Sequence, residues 1–493
     1  MVGHSKQLLG FNSLTLSRLF KLNMLAMRQR KSNRQAIFHL ISKLEDMLEK
    51  GGAHFPSEDP YHDLINYFEG EYLLDRAIEL SDLAIRQYGL SPKFYLRKAE
   101  LLLQNKQAEK ALATLDRVDY LTSGSLDSSL LRAEGLASLG METEAISLLD
   151  ELKYYATSEE LSKIYTQEAL IYYQQKNHEK EFYTLKAALQ EDHSNKEALS
   201  RMWFCVESAR RHEESLELHE KILDQDPFCS LAWYNTGAAH QYLCNHEEAI
   251  EAYEYAFITN EHFEFAYRQC ADVCMYTGKY QKALECYKEV LDRFEADDDL
   301  FLCIGLCYKE TGNYPVARTF FDKALRSNPM NDEAMFQIGN CYAGQKKWDK
   351  AIKAFLGAIL ENSLNEEYFA AVAEAFYVTG KLRDAEIHFR AAADIAADDA
   401  KYWIRLARFF MDTQRLQEAL NVLDEAEEYT FGSELLYYRS AFLFKMGKKR
   451  DALLVLEEAL CEDFYAHGSM FSVMPMMAKD SEVKAVISIF EPD

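Results

Sequence analysis

Four cysteines raise the first chemical question. Cys270 and Cys274 are one helical turn apart, as are Cys303 and Cys307, and four thiolates on neighbouring helices are a zinc-binding set by residue type. The spacing argues otherwise. Zinc ligands come from loops at closer spacing, whereas i, i+4 pairs share one helix face and small thiols suit a core. These four therefore read as core residues. His246-Glu247-Glu248 and His212-Glu213-Glu214 begin like a zincin motif, but the second histidine four residues on is missing. There is no Walker loop, no GxGxxG after a strand and no GxSxG nucleophile elbow. No catalytic residue, cofactor or metal is expected. One constellation remains: Lys401, Arg405 and Arg408 at i, i+4 and i+7 share a helix face in an acidic chain. Cations so aligned can hold a carboxylate by charge-assisted hydrogen bonds.

The elements that would position these side chains follow from a period. Ala249, Ala283 and Ala317 are 34 residues apart, and Gly237 returns as Ala271 and Gly305. Within each 34-residue unit apolar and small residues recur at spacings of three and four, which predicts two amphipathic helices, A and B. Units start at residues 58, 92, 126, 162, 196, 230, 264, 298, 332, 366, 400 and 433, giving twelve repeats. Ten have alanine at position 20: residues 77, 111, 145, 249, 283, 317, 351, 385, 419 and 452. Gly140, Gly278, Gly312, Gly380 and Gly447 stand at position 15, where helix A must end and turn. Pro315 stands in the first turn of a helix B, where its missing N–H costs nothing. Two extra residues precede residue 162, within Tyr154 to Leu161. The following two repeats are the most degenerate, with Glu181 and Ser215 in place of alanine and Trp203 in place of Gly/Ala. This stretch reads as drift in a tolerant repeat or as a hinge.

The spacing resembles the tetratricopeptide repeat (TPR), which asks for an aromatic at position 4, Gly or Ala at 8, Ala at 20, an aromatic at 24 and Ala at 27. The unit starting at Ser230 supplies Trp233, Gly237, Ala249, Tyr253 and Ala256, with His240 at the position 11 that the motif gives to an aromatic. The resemblance covers residues 58–466. It implies an all-α, right-handed superhelical solenoid of about twelve helix-turn-helix repeats, closed by a C-terminal capping helix. It also implies a groove lined by positions 2, 5, 6, 9, 12 and 13 of helix A. In this chain those positions include Tyr173, Phe204, Tyr234, Asn235, Arg268, Phe336, Gln337, Asn340, Tyr377, Lys401, Arg405 and Arg408. Aromatics, amides and arginines suit a protein or peptide partner. Some TPR co-chaperones clamp a partner's terminal carboxylate with five such residues. Asn340, Lys401 and Arg405 match three, but Phe336 and Ala371 stand at the other two, so the full clamp is absent. The implied function is a non-catalytic interaction scaffold or adaptor, of the TPR-only type found in bacteria. A chaperone holding client segments and a peptide-sensing regulator are the alternatives.

Composition sets the outer bounds. The chain has 493 residues and a net charge of −25; residues 1–57 carry nine Lys/Arg and three Asp/Glu, leaving −31 on the rest. An acidic body argues against nucleic acid as a ligand, since phosphate binding needs a basic stripe. No run of apolar residues is long enough to cross a membrane. Ten scattered cysteines fit a reducing, cytoplasmic setting. Four segments are expected: a basic tail at 1–32, a helix and linker at 33–57, the array at 58–466, and a loop with a capping helix at 467–493. The tail has the acid-poor character of a transit peptide, but reads more simply as a tail or as residues upstream of a true start at Met24 or Met27.

Overall fold

The computed structural model describes residues 37–47, 54–122 and 125–492. The basic tail and the Gly51-Gly52 helix stop lie outside them. The described residues are helical throughout and contain no strand. Residues 37–47 are one helix, and Leu44 buries itself against the first repeat. Twelve A/B helix pairs follow, from Asp59–Gly70 with Leu74–Gln87 to Ser433–Lys445 with Lys449–Glu462. The array is the all-α solenoid of helix-turn-helix repeats that the period implies. The chain divides into two compact units, Met1–Val273 and Cys274–Asp493.

Small residues explain how each pair closes. All ten alanines at position 20 are fully buried. Position 8 of helix A is a notch that receives the ring at position 24 of helix B. A Cβ built on Gly305 would lie 2.4 Å from the Phe321 ring, one on Gly339 2.4 Å from the Phe355 ring, and one on Gly237 2.8 Å from Tyr253. The glycines let those rings sink into full burial, a gain of about 1.5–3 kcal/mol for each ring relative to leaving it exposed. The A-to-B turn is equally regular. Position 15 has positive φ in all twelve repeats, at five glycines (φ 74–79°) and at Tyr72, Lys106, Lys176, Arg210, Cys244, Lys346 and Gln414 (φ 55–63°).

Loops are tied back to the preceding repeat. Asn328 and Asn331 donate to Asp298 Oδ2 at 2.9 and 3.2 Å, and one repeat later Asn362 donates to Asp332 Oδ2 at 2.9 Å. Asn331 also caps its own helix by accepting from the Ala334 amide at 2.8 Å, a device worth about 1 kcal/mol. Past Glu462, Met470, Met477 and Val483 are fully buried in the core of the last repeats, while Met476 stays exposed. The helix Ser481–Phe490 starts at an Asp480 N-cap, and Asp480 also accepts from Lys449 Nζ at 2.8 Å.

The two extra residues near 160 are absorbed by a longer helix. Helix A of the fourth repeat runs Ser158–Gln174, starting four residues early at a capping box in which Thr157 and Glu160 satisfy each other's backbone amides. Lys153 Nζ crosses the junction to Glu168 Oε2 at 2.7 Å.

Candidate protein-binding face

Helix A of each repeat presents the expected binding positions, and the two units carry different sets. In residues 1–273 these are Tyr234, Asn235 and Arg268; in 274–493 they are Phe336, Asn340, Lys401, Arg405 and Arg408.

In the second unit, Phe336 is half-buried against Phe355 and Tyr368, with ring centroids 5.5 and 4.6 Å apart. A polar chain runs beside it. Lys309 Nζ donates to Gln337 Oε1 at 2.9 Å, Asn340 Nδ2 donates to the same oxygen at 3.2 Å, and Gln337 Nε2 donates to Glu333 at 2.6 Å. Asn340 is thus held in an internal network with its amide oxygen still able to accept. The basic stripe is largely neutralised from the neighbouring helix Glu366–Val378. Lys401 Nζ donates to Glu367 Oε2 at 3.0 Å, and Arg405 lies 3.3 Å from Glu367 Oε1 and 3.8 Å from Glu374. Burial alone would raise the Glu367 carboxyl, but Lys401, Arg405 and the Tyr402 hydroxyl together hold it below its ordinary value. Arg408 is exposed and, among the described residues, has no ion pair within 4.0 Å, although its charge acts on Glu374 from farther away.

In the first unit two expected groove residues are core instead. Tyr234 is 6% exposed and Asn235 2%. Asn235 Nδ2 donates to the Leu199 carbonyl at 2.9 Å and faces His219 Nε2 at 3.0 Å. His219 Nδ1 lies 2.7 Å from the Ser215 carbonyl, so Nδ1 carries the proton and Nε2 accepts. Asn235 Oδ1 is buried without a partner. Burial pushes the His219 imidazole down to about 4, against the pull of the Ser215 carbonyl. This serine, histidine and asparagine meet inside the packing, not in a cleft, and read as structural. Position 8 of the preceding repeat is Trp203. Its ring does not fit the position 8 notch, so helix Lys196–Ala209 rests on helices His178–Glu191 and Ser230–Tyr242 more than on its own partner, His212–Gln225. Arg268, 21% exposed in its side chain, pairs with Glu264 at 2.8 Å.

Of the exposed rings here, Tyr173 and Phe204 were expected on the groove face, whereas Trp203 and Tyr242 were missed at the level of sequence. Tyr173, Trp203, Phe204 and Tyr242 are each 41–48% exposed. Tyr173 meets Phe204 at 6.1 Å and Trp203 meets Phe204 at 5.8 Å and Tyr234 at 6.3 Å, so these four rings form a strip across three consecutive A helices, while Tyr242 stacks on His212 at 4.6 Å. The available signal was a tryptophan in a slot reserved for glycine or alanine. The four cysteines singled out for zinc are Cys270, Cys274 and Cys307, all buried, and the part-buried Cys303. Cys307 Sγ lies 3.2 Å from Met275 Sδ. Among the described residues no group of three or more His, Cys, Asp or Glu is arranged to hold a metal ion. No described helix is long and apolar enough to cross a membrane.

Residues 278–358 match the family model of the anaphase-promoting complex (cyclosome) subunit 3. No curated protein matches the chain in sequence. Among solved structures it is similar to a chain of the APC/C hetero-tetramer Cut9-Hcn1, at 14% identity and TM-score 0.34, covering 75% of this chain and 93% of that one. It is similar to YrrB, a TPR protein with an unusual peptide-binding site, at 19% identity and TM-score 0.32, covering 38% and 96%. MamA from Desulfovibrio magneticus gives 19% identity and TM-score 0.31, covering 34% and 94%. Likenesses at these TM-scores say nothing of what this chain binds.

Proposed function

We propose that this chain, an array of tetratricopeptide repeats, is a non-catalytic scaffold that holds a segment of another protein along the A-helix faces of its repeats. The observation that carries the reading is what those faces display and leave unfilled. In the repeats starting at 332, 366 and 400 a half-buried ring, Phe336, stands beside an amide, Asn340, whose oxygen can still accept. Arg408 adds a cation without an ion pair. An apolar anchor, hydrogen-bonding groups for a backbone and an exposed cation outside direct ion pairing are the parts of a peptide-binding surface. The ion pairs of Lys401 and Arg405 with Glu367 weaken the case for a dedicated carboxylate clamp. They are partly exposed and each is worth about 0–1 kcal/mol, so an acidic partner would gain mainly through Arg408.

The test uses the full chain as bait. Phe336→Ala with Arg408→Ala is compared with Lys353→Ala on the exposed side of a B helix, each by quantitative affinity purification after checking that melting is unchanged. Partners lost from the double variant and kept by Lys353→Ala support the reading. Equal recovery from both would place binding off the A-helix faces.

A further inference from the structure

The aromatic strip of the first unit differs in chemistry from the face just described. Tyr173, Trp203, Phe204 and Tyr242 each leave 41–48% of their surface exposed although buried neighbours surround them. Position 8, where Trp203 stands, asks for glycine or alanine in this repeat. Instead a large ring occupies it and is turned out to solvent, edge-on to Phe204 and to Tyr234.

The charges around the strip are one-sided. Residues 158–273 contain 22 Asp/Glu and 10 Lys/Arg, a net of −12. Three cations near the strip are engaged locally: Arg201 with Glu197 at 3.7 Å, Arg211 with Glu179 at 2.6 Å, Lys186 with Glu214 at 3.3 Å. Glu207 is not so paired. It is exposed and accepts a hydrogen bond from the Tyr242 hydroxyl, its charge acts on His212, which stacks on the Tyr242 ring at 4.6 Å, and among the described residues no lysine or arginine lies within ion-pair distance of it. A carboxylate held by a tyrosine hydroxyl and lacking an ion pair among the described residues, on the same helix as two exposed rings, favours a cation that also brings apolar surface. The ring faces add cation–π attraction of about 0.5–2 kcal/mol, and the acidic field raises the rate of encounter with basic segments. An acidic segment would be repelled, and a neutral apolar one would leave the carboxylate unused.

We infer that Trp203, Phe204, Tyr173 and Tyr242, with Glu207, form a docking site for a basic, apolar linear peptide, its aliphatic or aromatic side chains on the rings and a lysine or arginine at Glu207. The inference rests on the A-helix faces being binding surfaces, and names one partner class and one place for it. It is independent of Phe336 and Arg408.

The experiment is calorimetry on the full chain with three synthetic 15-residue peptides. One alternates leucine or phenylalanine with lysine or arginine; the others replace every cation by glutamine or by glutamate. The basic peptide is expected to bind, the glutamine version at least about tenfold more weakly, and the glutamate version not at all, with affinity falling as salt rises. Phe204→Ala, which leaves Trp203 and the helix packing around it in place, is expected to weaken the basic peptide about tenfold or more, as an aromatic anchor does. Glu207→Gln should weaken it several-fold and flatten the salt dependence. Equal binding of all three peptides, or no binding of the basic one at low salt, overturns the inference. So does basic-peptide affinity unchanged in Phe204→Ala. If the Phe336 and Arg408 variant still loses its partners in that last case, only the docking site named here falls. If neither face responds, the scaffold reading falls with it.

Discussion

At position 15 the backbone is left-handed in all twelve repeats, but seven of the residues there carry a side chain. For an L-residue that conformation costs roughly 1–2 kcal/mol. Replacement by glycine removes the strain and loosens the unfolded chain by about 0.4–1 kcal/mol. The balance favours glycine where the side chain contributes no packing. Tyr72, with φ 58° and 90% exposure, is such a place. Tyr72→Gly is expected to stabilise the protein by about 0.5–1 kcal/mol on these terms. Gly312 is the mirror case, with φ 78° and open space around a built Cβ. Gly312→Ala should destabilise by about 1 kcal/mol from conformation alone. Urea melts of both variants check the pair, and shifts of the same sign would show that packing, not φ, decides at this position.

Helices were the most legible level. The 34-residue period locates every A/B pair because a helix pair can close only where small residues let it, and all ten position 20 alanines prove fully buried. The left-handed turns at tyrosine, lysine and cysteine were not legible, since only the five glycines announce themselves. Nor was the burial of Tyr234 and Asn235, because it depends on how closely the neighbouring helices pack, which the repeat position alone does not give. The junction near residue 160 was open between hinge and drift. The longer helix Ser158–Gln174, its capping box and the Lys153–Glu168 bridge favour a stiff junction. Limited proteolysis by chymotrypsin is therefore expected to spare Tyr154 and Tyr155 despite their 84% and 94% exposure, because cleavage needs local unfolding that the flanking helices resist. First cleavage at that pair would restore the hinge.

Across the whole array, stability is a sum of repeat terms and nearest-neighbour interfaces, so its weakest point is set by the poorest repeat. That is the fifth, residues 196–229. Its notch is blocked by Trp203, its alanine is Ser215, and its position 24 ring is the imidazole of His219, sealed in with the orphaned Asn235 Oδ1. A buried polar acceptor left unmade costs about 1–3 kcal/mol. Hydrogen exchange should accordingly show lower protection factors in Lys196–Ala209 and His212–Gln225 than in Asp332–Gly344 and Trp348–Glu361 of the ninth repeat, where Phe355 fills the notch at Gly339. Acid should widen the gap. His219 is neutral in the fold with its pKa near 4, below the ordinary value of about 6.5. Its contribution is complete above pH 6.5, and is lost as pH falls toward 4 because the unfolded segment takes up the proton first. Protection in the fifth repeat is expected to drop between pH 7 and pH 5 more than in the ninth, and His219→Leu should abolish that extra drop whatever it does to stability at pH 7. Equal protection in the two repeats at both pH values would mean that Trp203 and His219 are accommodated without cost.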